Sequence, residues 1–518
     1  MLSGVFTKSM TKIGAIWLLV GIAIGLRTFF STTGMASGDG VYYLEAAQNL
    51  LLDQKFRITT LGIGQTLPTD GYDPFTLWPI GYPTLIAVSA FLTGLPVFWA
   101  SKLLGWILAG FSLWGFRRLA PDESSTLSGT LLFATPLLLF SSTMSEPAFL
   151  TTLIWFVYWI HQFIQTQHKK ALFWVLMCAI LLFLFRYVGI FAGLVLLQVL
   201  WKMRRDHAPN FRSLWAVVFI WSGLVLGYAI WNHSRSGAFS GMNRYTGIPP
   251  ETIQVLLSWL KGFGVVFLPL VTDRIQGAMF LFLVGLQIVI MGFSFRSPSL
   301  KQPHHTAPSP IRSEATLVHL LFSTGLLYLV VMTVARWNHV LWLQQYSFYM
   351  ELFAPVFWLW IPAILLKVRC YPRWYSRVKK AFWATAITSF LIYAPLWAIK
   401  QVYENNQSYP TAAEWALNSA KDLPKGSVVL FGDAHLNYLR PDLIRLEPPS
   451  KPLFARPAGY NATVKHIGKT YPNRPIYIFM NTRFNNMNPD DFVTNQWFDS
   501  SFVNRNKKAA PNTKLRLR

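Results

Sequence analysis

Charge is what this sequence has least of: Asp, Glu, Lys and Arg make up 13% of its 518 residues, about half the share usual in a soluble globular chain. Acids are the scarcer kind, 22 against 46 Lys and Arg. Cysteine is nearly absent, with Cys178 in an apolar stretch and Cys370 in a basic one. Read as lying in different compartments, the pair implies no disulfide, zinc or redox framework. The C-terminal stretch lacks a Gly-rich phosphate loop and metal-ligand spacing, and no clear internal repeat runs along the chain. The first apolar run ends at Arg27 without a small-residue cleavage site, so it reads as an uncleaved span.

What is present is apolar and aromatic: 53% hydrophobic residues, with 40 Phe, 22 Trp and 20 Tyr. A spanning helix needs about 20 mostly apolar residues, and such segments recur. Trp and Tyr suit the headgroup level, where an apolar ring body meets a polar tip. The net charge of +24 would suggest nucleic acid in a soluble chain. Here Lys and Arg alternate with apolar spans, so the charge reads as topology signal and attraction to anionic lipid, with no nucleic-acid partner.

Lys8 and Lys12 precede the first span and put the N-terminus in the cytoplasm. Spans are expected at 13–30, 98–116, 125–141, 147–164, 171–185, 188–201, 214–231, 277–294, 315–334, 352–366 and 381–398. Pro79 to Leu95 reads as a helix that dips into the membrane or lies in its interface. Assigned inside loops then hold most of the Lys and Arg before residue 400, as the positive-inside rule requires. The expected fold is an all-α polytopic membrane domain of about 11 transmembrane helices, with a small C-terminal α/β domain outside. The membrane domain takes residues 1–399, including an outside loop at 31–79 that carries interfacial helices. The α/β domain takes 400–503, with a helix at Tyr403–Ala420 and buried strands at Ser427–Phe431 and Pro475–Met480. Residues 504–518 read as a disordered basic tail.

Asp39 opens a helix just after the first span, within Ser37-Gly-Asp-Gly-Val-Tyr42-Tyr43. It reads either as a helix N-cap or as an acid fixed at the membrane face to bind a hydroxyl. Glu146, before Pro147, either caps the next helix or adds a second acid at the same face, where charge is costly and tends to be functional. Arg186, in Phe185-Arg-Tyr-Val-Gly189, and Arg244, in Gly241-Met-Asn-Arg-Tyr245, either snorkel to the headgroups or clamp a lipid-linked phosphate. Tyr72, Asp73 and Tyr82, in a stiff aromatic loop, anchor at the interface or line a sugar or lipid groove with Tyr42 and Tyr43.

Four of these places together resemble the GT-C superfamily of membrane glycosyltransferases, in particular its protein mannosyltransferases and lipid A aminoarabinose transferases. They are the helix opened by Asp39, Trp78-Pro-Ile-Gly-Tyr-Pro83, Ser145-Glu-Pro147, and Phe185-Arg-Tyr-Val-Gly189. The first 200 residues carry most of the likeness. One departure is Glu351-Leu-Phe-Ala-Pro355, where many relatives place a basic residue. The resemblance implies a sugar on polyprenyl phosphate as donor and transfer to a hydroxyl on a glycan, lipid or protein, with inversion at the anomeric carbon. It implies Asp39 as base for the acceptor, Glu146 as a positioning acid, and Arg186 and Arg244 on the leaving phosphate. No metal or other cofactor is demanded, although some relatives use a divalent ion. It also implies a bacterial plasma membrane with the active face outside, or else an endoplasmic reticulum membrane. A transporter or flippase, a polymerase or ligase of lipid-linked sugars, and a non-catalytic scaffold are the alternatives. Acids gathered at one face favour an enzyme over a carrier, whose charges belong near the midplane.

Overall fold

Apolar runs with few charges fold as helices here because a helix satisfies every backbone polar group within its own segment. The computed structural model describes residues 2–36, 38–59, 72–239, 311–336, 346–393, 408–430, 434–446, 467–479 and 514–516, with single positions at 395, 399 and 403. These fall into two compact units. The first draws on Met1–Ser31, Thr76–Tyr82 and Lys102–Asn406; the second on Thr32–Phe75, Pro83–Ser101 and Gln407–Arg518. Most of residues 32–75 cluster with the C-terminal stretch.

The first unit is helical. Its long elements are α1 (Leu2–Phe29), α4 (Val97–Leu119, shared with the second unit), α7 (Glu146–Thr166), α8 (Lys169–Phe185), α9 (Phe191–Arg205), α10 (Phe211–Ser236), α11 (Ile311–Arg336), α12 (Tyr346–Val368) and α13 (Pro372–Thr388). Seven described helices are long and apolar enough to cross a membrane, or eight if a bent pair is one span. The expectation of about 11 differs for identifiable reasons. Segment 125–141 is broken: a run of short turns to Leu132 and helix α6 (Ala134–Ser141) meet at 72°. The break falls at extended Phe133, and the Ser389 hydroxyl accepts the freed Ala134 N–H at 2.9 Å. Helix α8 has only 17 residues. The described part of segment 381–398 is the end of α13 followed by a π turn at Ser389–Tyr393. Segment 277–294 lies outside the described residues.

Packing in this unit exchanges Trp for Gly across helix pairs. Trp17 and Trp106 stack at 4.4 Å, each indole donating to the other's backbone carbonyl. Trp106 fills the space where a Cβ on Gly21 would be, and Trp17 does the same at Gly110. Trp360 against Gly325 and Trp221 against Gly193 repeat the arrangement. Without a hydrophobic drive between helices in lipid, such close packing supplies the association energy.

In the second unit, α2 (Asp39–Asp53) is followed by the antiparallel ribbon β1 (Arg57–Thr59) and β2 (Tyr72–Pro74). Helix α3 (Gly81–Thr93) is short and apolar, as expected for a segment that does not span. Helix α14 (Tyr409–Ser419) and the one-turn α15 (Leu436–Leu439) accompany a four-stranded sheet in the order β4-β3-β5-β6. Strands β3 (Val428–Leu430), β4 (Ile444–Leu446) and β5 (Ile476–Phe479) are parallel. The apolar runs of β3 and β5 suit strands buried on both faces. Ala416, Ala420, Leu423, Val429, Leu436, Leu443 and Tyr477 form the core. Lys514–Arg516, within the stretch read as a tail, is β6, antiparallel to β5.

Candidate functional site

In the first unit, helix α8 ends at Arg186, whose backbone is extended (φ −151°, ψ 134°) before a short turn at Tyr187–Ile190. This break turns the guanidinium onto two carboxylates. Its Nη1 donates to Glu146 Oε1, and its Nη2 lies 3.3 Å from Glu351 Oε1. The side chains are only 14% (Arg186), 7% (Glu146) and 14% (Glu351) exposed. Two carboxyl groups thus meet one guanidinium in a water-poor place. Such a group persists only while its charges stay paired and hydrogen-bonded.

The surrounding elements hold this geometry. Glu146 starts α7 with Pro147 behind it, after a buried hydroxyl-rich connector, Ser141–Ser145. Lys102, buried on α4, donates to the Ser141 carbonyl at 3.0 Å and the Thr143 hydroxyl at 2.9 Å. One turn on, Gly105 lets α4 approach the Phe140 carbonyl, where a Cβ would collide. Tyr82 is buried beside Glu146 and hydrogen-bonds the backbone of Met144. The segment that delivers it is fixed by the Tyr187 hydroxyl on the Thr76 carbonyl (2.7 Å) and by the Ile80 N–H on the Tyr228 hydroxyl (3.2 Å). The motif Phe185-Arg-Tyr-Val-Gly189 thus has separable duties: Arg186 meets the acids, Tyr187 anchors Thr76, and Gly189 packs on the Leu182 carbonyl.

The second unit holds Asp39, Tyr42, Tyr43, Tyr72 and Asp73. Gly38 takes the position before α2 at φ +54°, a conformation that favours glycine. Asp39 is the first helical residue, half-buried, so the cap position falls to Gly38. A carboxylate in the first turn is also favoured by the helix dipole. Tyr42 is half-buried, whereas Tyr43 is core and meets Phe75 edge-on at 6.1 Å. The Tyr72 hydroxyl donates to the Pro441 carbonyl at 2.9 Å, and Arg57 lies over its ring. Asp73 stands opposite Ile58 in the ribbon.

Of the residues singled out in the sequence, the first unit brings together Tyr82, Glu146 and Arg186. Arg244 lies outside the described residues. Sequence reasoning treated Glu351 only as a departure and passed over Lys102 inside span 98–116. An acid opening one apolar run and a lone lysine inside another were the available signals. Among the described residues, no group of three or more His, Cys, Asp or Glu is placed to hold a metal ion.

No protein-family model matches this sequence, and no curated protein does. Solved structures do. The chain is similar to ArnT from Cupriavidus metallidurans bound to undecaprenyl phosphate, with TM-score 0.50 and 14% identity, covering 100% of this chain and 98% of that one. The same protein in the apo state gives 0.48 and 15% over the same spans. The Archaeoglobus fulgidus oligosaccharyltransferase tethered to an acceptor peptide gives 0.43 and 12%, over 90% of this chain and 69% of that one. The fold comparison rests on the first of these. At that identity the likeness concerns the fold alone: this chain shares its overall fold with that ArnT structure.

Proposed function

We propose that this protein is a membrane glycosyltransferase that moves a sugar from a polyprenyl-phosphate donor to a hydroxyl acceptor on the extracytoplasmic face, with inversion. The observation that carries this reading is the full-length fold likeness to a transferase solved with undecaprenyl phosphate. The first-turn position of Asp39 on α2 supports it. The acceptor oxygen attacks the anomeric carbon as the bond from that carbon to the phosphate oxygen breaks. The acceptor proton passes to the Asp39 carboxylate, acting as general base. The electron pair leaves with polyprenyl phosphate. That leaving group needs no protonation, so cations suffice to meet its growing charge, and transfer is expected to persist in chelator.

Glu146 serves as a positioning acid, oriented by Arg186. Both terminal nitrogens of Arg186 already face carboxylates, so a phosphate it contacts shares the guanidinium with Glu146 and Glu351. Arg244 is the second proposed phosphate ligand. The N-terminus lies in the cytoplasm and the C-terminal stretch outside, in a bacterial inner membrane. The test is purified protein in lipid with a panel of polyprenyl-phosphate sugars and hydroxyl acceptors, followed by polyprenyl phosphate release and the anomeric configuration of the product. Release with one donor and an inverted product supports the reading. Tight donor binding without release points instead to a carrier of lipid-linked sugars.

A further inference from the structure

Asp39 sits on a segment that the C-terminal stretch grips on both sides of that residue. On the N-terminal side, His435 Nε2 lies 3.3 Å from the Thr32 carbonyl, and its Nδ1 lies 2.6 Å from the Tyr438 hydroxyl. A carbonyl can only accept, so Nε2 carries the proton and Nδ1 accepts from Tyr438. Two residues on, Gly34 at φ +55° lies against Phe98 and Tyr409, whose rings stack at 3.7 Å. On the C-terminal side, six residues along α2, the Glu45 carboxylate accepts the Asn437 amide N–H at 2.7 Å. The Asn437 carbonyl oxygen in turn accepts from Arg445 of β4 at 2.9 Å.

Glu45 is 1% exposed. A leucine would fill that space without the cost of burying a carboxylate. A buried polar relay adds less to stability than a packed apolar core would, and what it supplies is a fixed geometry. Here the relay runs from α2 through α15 to β4, so three polar side chains determine where α2 sits in this unit.

We infer that the stretch from His435 to Arg445 is a clamp that sets the position of Asp39, with His435 and Asn437 as its two positioning residues. The inference rests on the reading of Asp39 as the group that serves the acceptor hydroxyl. It makes the C-terminal stretch part of the apparatus that presents Asp39, and not a separate module.

The experiment compares His435→Ala, Asn437→Ala and Glu45→Gln with wild type in the full chain in lipid. The amide oxygen of the glutamine still accepts from Asn437, so that variant keeps the link. Misplacement by about 1 Å can cost about a hundredfold in rate. Both alanine variants are expected to lose about ten- to hundredfold in kcat while the donor KM stays within about twofold. Amide exchange in residues 40–50 rises in both, exchange in α7 is unchanged, and Glu45→Gln keeps wild-type kcat and exchange. Wild-type kcat in both alanine variants overturns the clamp, as does lost kcat with α2 exchange unchanged. If wild type releases no polyprenyl phosphate from any donor, the transferase reading fails on its own. Exchange then still decides the clamp: protection of α2 that opens in Asn437→Ala supports it, and equal protection in both proteins overturns it.

Discussion

Arg186 is the residue on which the first unit's polar centre depends. Replacing it with glutamine leaves Glu146 and Glu351 facing each other without their cation. Breaking a buried pair in this way costs about 3–5 kcal/mol. Glu351→Gln leaves the Glu146–Arg186 contact in place, so its stability stays close to wild type. Thermal unfolding in lipid, followed by tryptophan fluorescence, separates the two, and equal losses would contradict the account. Glu146 and Arg186 were legible in the sequence because each interrupts an apolar run at a membrane edge. Their partnership with Glu351 was not, since only the packing of α12 brings that acid to Arg186. Asp39 was legible as a helix opener, but its first-turn place beyond Gly38 depends on a backbone conformation that residue types do not specify.

Among the elements, the connector before α7 has the clearest dependence on a single side chain. Lys102→Met removes the hydrogen bonds that the lysine amine gives the Ser141 carbonyl and the Thr143 hydroxyl. Each unsatisfied buried group costs about 1–3 kcal/mol. A lower Tm together with a slower transfer rate is the expected outcome, because the same connector carries Glu146. A lower Tm with unchanged transfer would separate Lys102 from the proposed site. In the second unit, paired hydrogen bonds from Arg440 (both 2.7 Å) hold the Asp442 carboxylate below the usual aspartate range. A folded pKa below the unfolded one contributes stability above the unfolded value, about 3.9. That contribution is lost as pH falls through the folded pKa. The stability gap between wild type and Asp442→Asn, read from amide exchange at Val428–Leu430, is therefore constant at neutral pH and closes in acid. A gap that widens in acid would refute it. Strands β3 and β5 were legible as apolar runs between turn residues. Strand β4 was not, because three residues centred on Arg445 carry no periodic signal. The break at Phe133 was hidden for a related reason: the hydroxyl that accepts the Ala134 amide lies on a remote turn.

Over the whole molecule, composition and charge bias conveyed a helical membrane protein, and the motifs pointed to the fold it shares with ArnT. Both depend on local runs and short spacings. The division into units was illegible because it rests on long-range contacts, such as Asn437 with Glu45 and Tyr72 with Pro441. Sidedness is directly testable, since Cys370 is exposed and Cys178 buried. The charge pattern puts Cys370 inside and α14 outside. A membrane-impermeant maleimide applied to intact cells is expected to spare the wild-type protein and to label a Glu414→Cys variant. Labelling of wild type at Cys370 would invert the topology.

The account's central claim is that a lipid-linked sugar is transferred by chemistry centred on Asp39. Release of polyprenyl phosphate from a cognate donor, measured side by side for wild type and Asp39→Asn in lipid, tests it most directly. The account predicts release by wild type and a loss of at least about a hundredfold in the variant, the scale expected when an acid–base group is removed, with donor binding and Tm retained. Equal release by both proteins would contradict it and reduce Asp39 to a residue that only favours the start of α2.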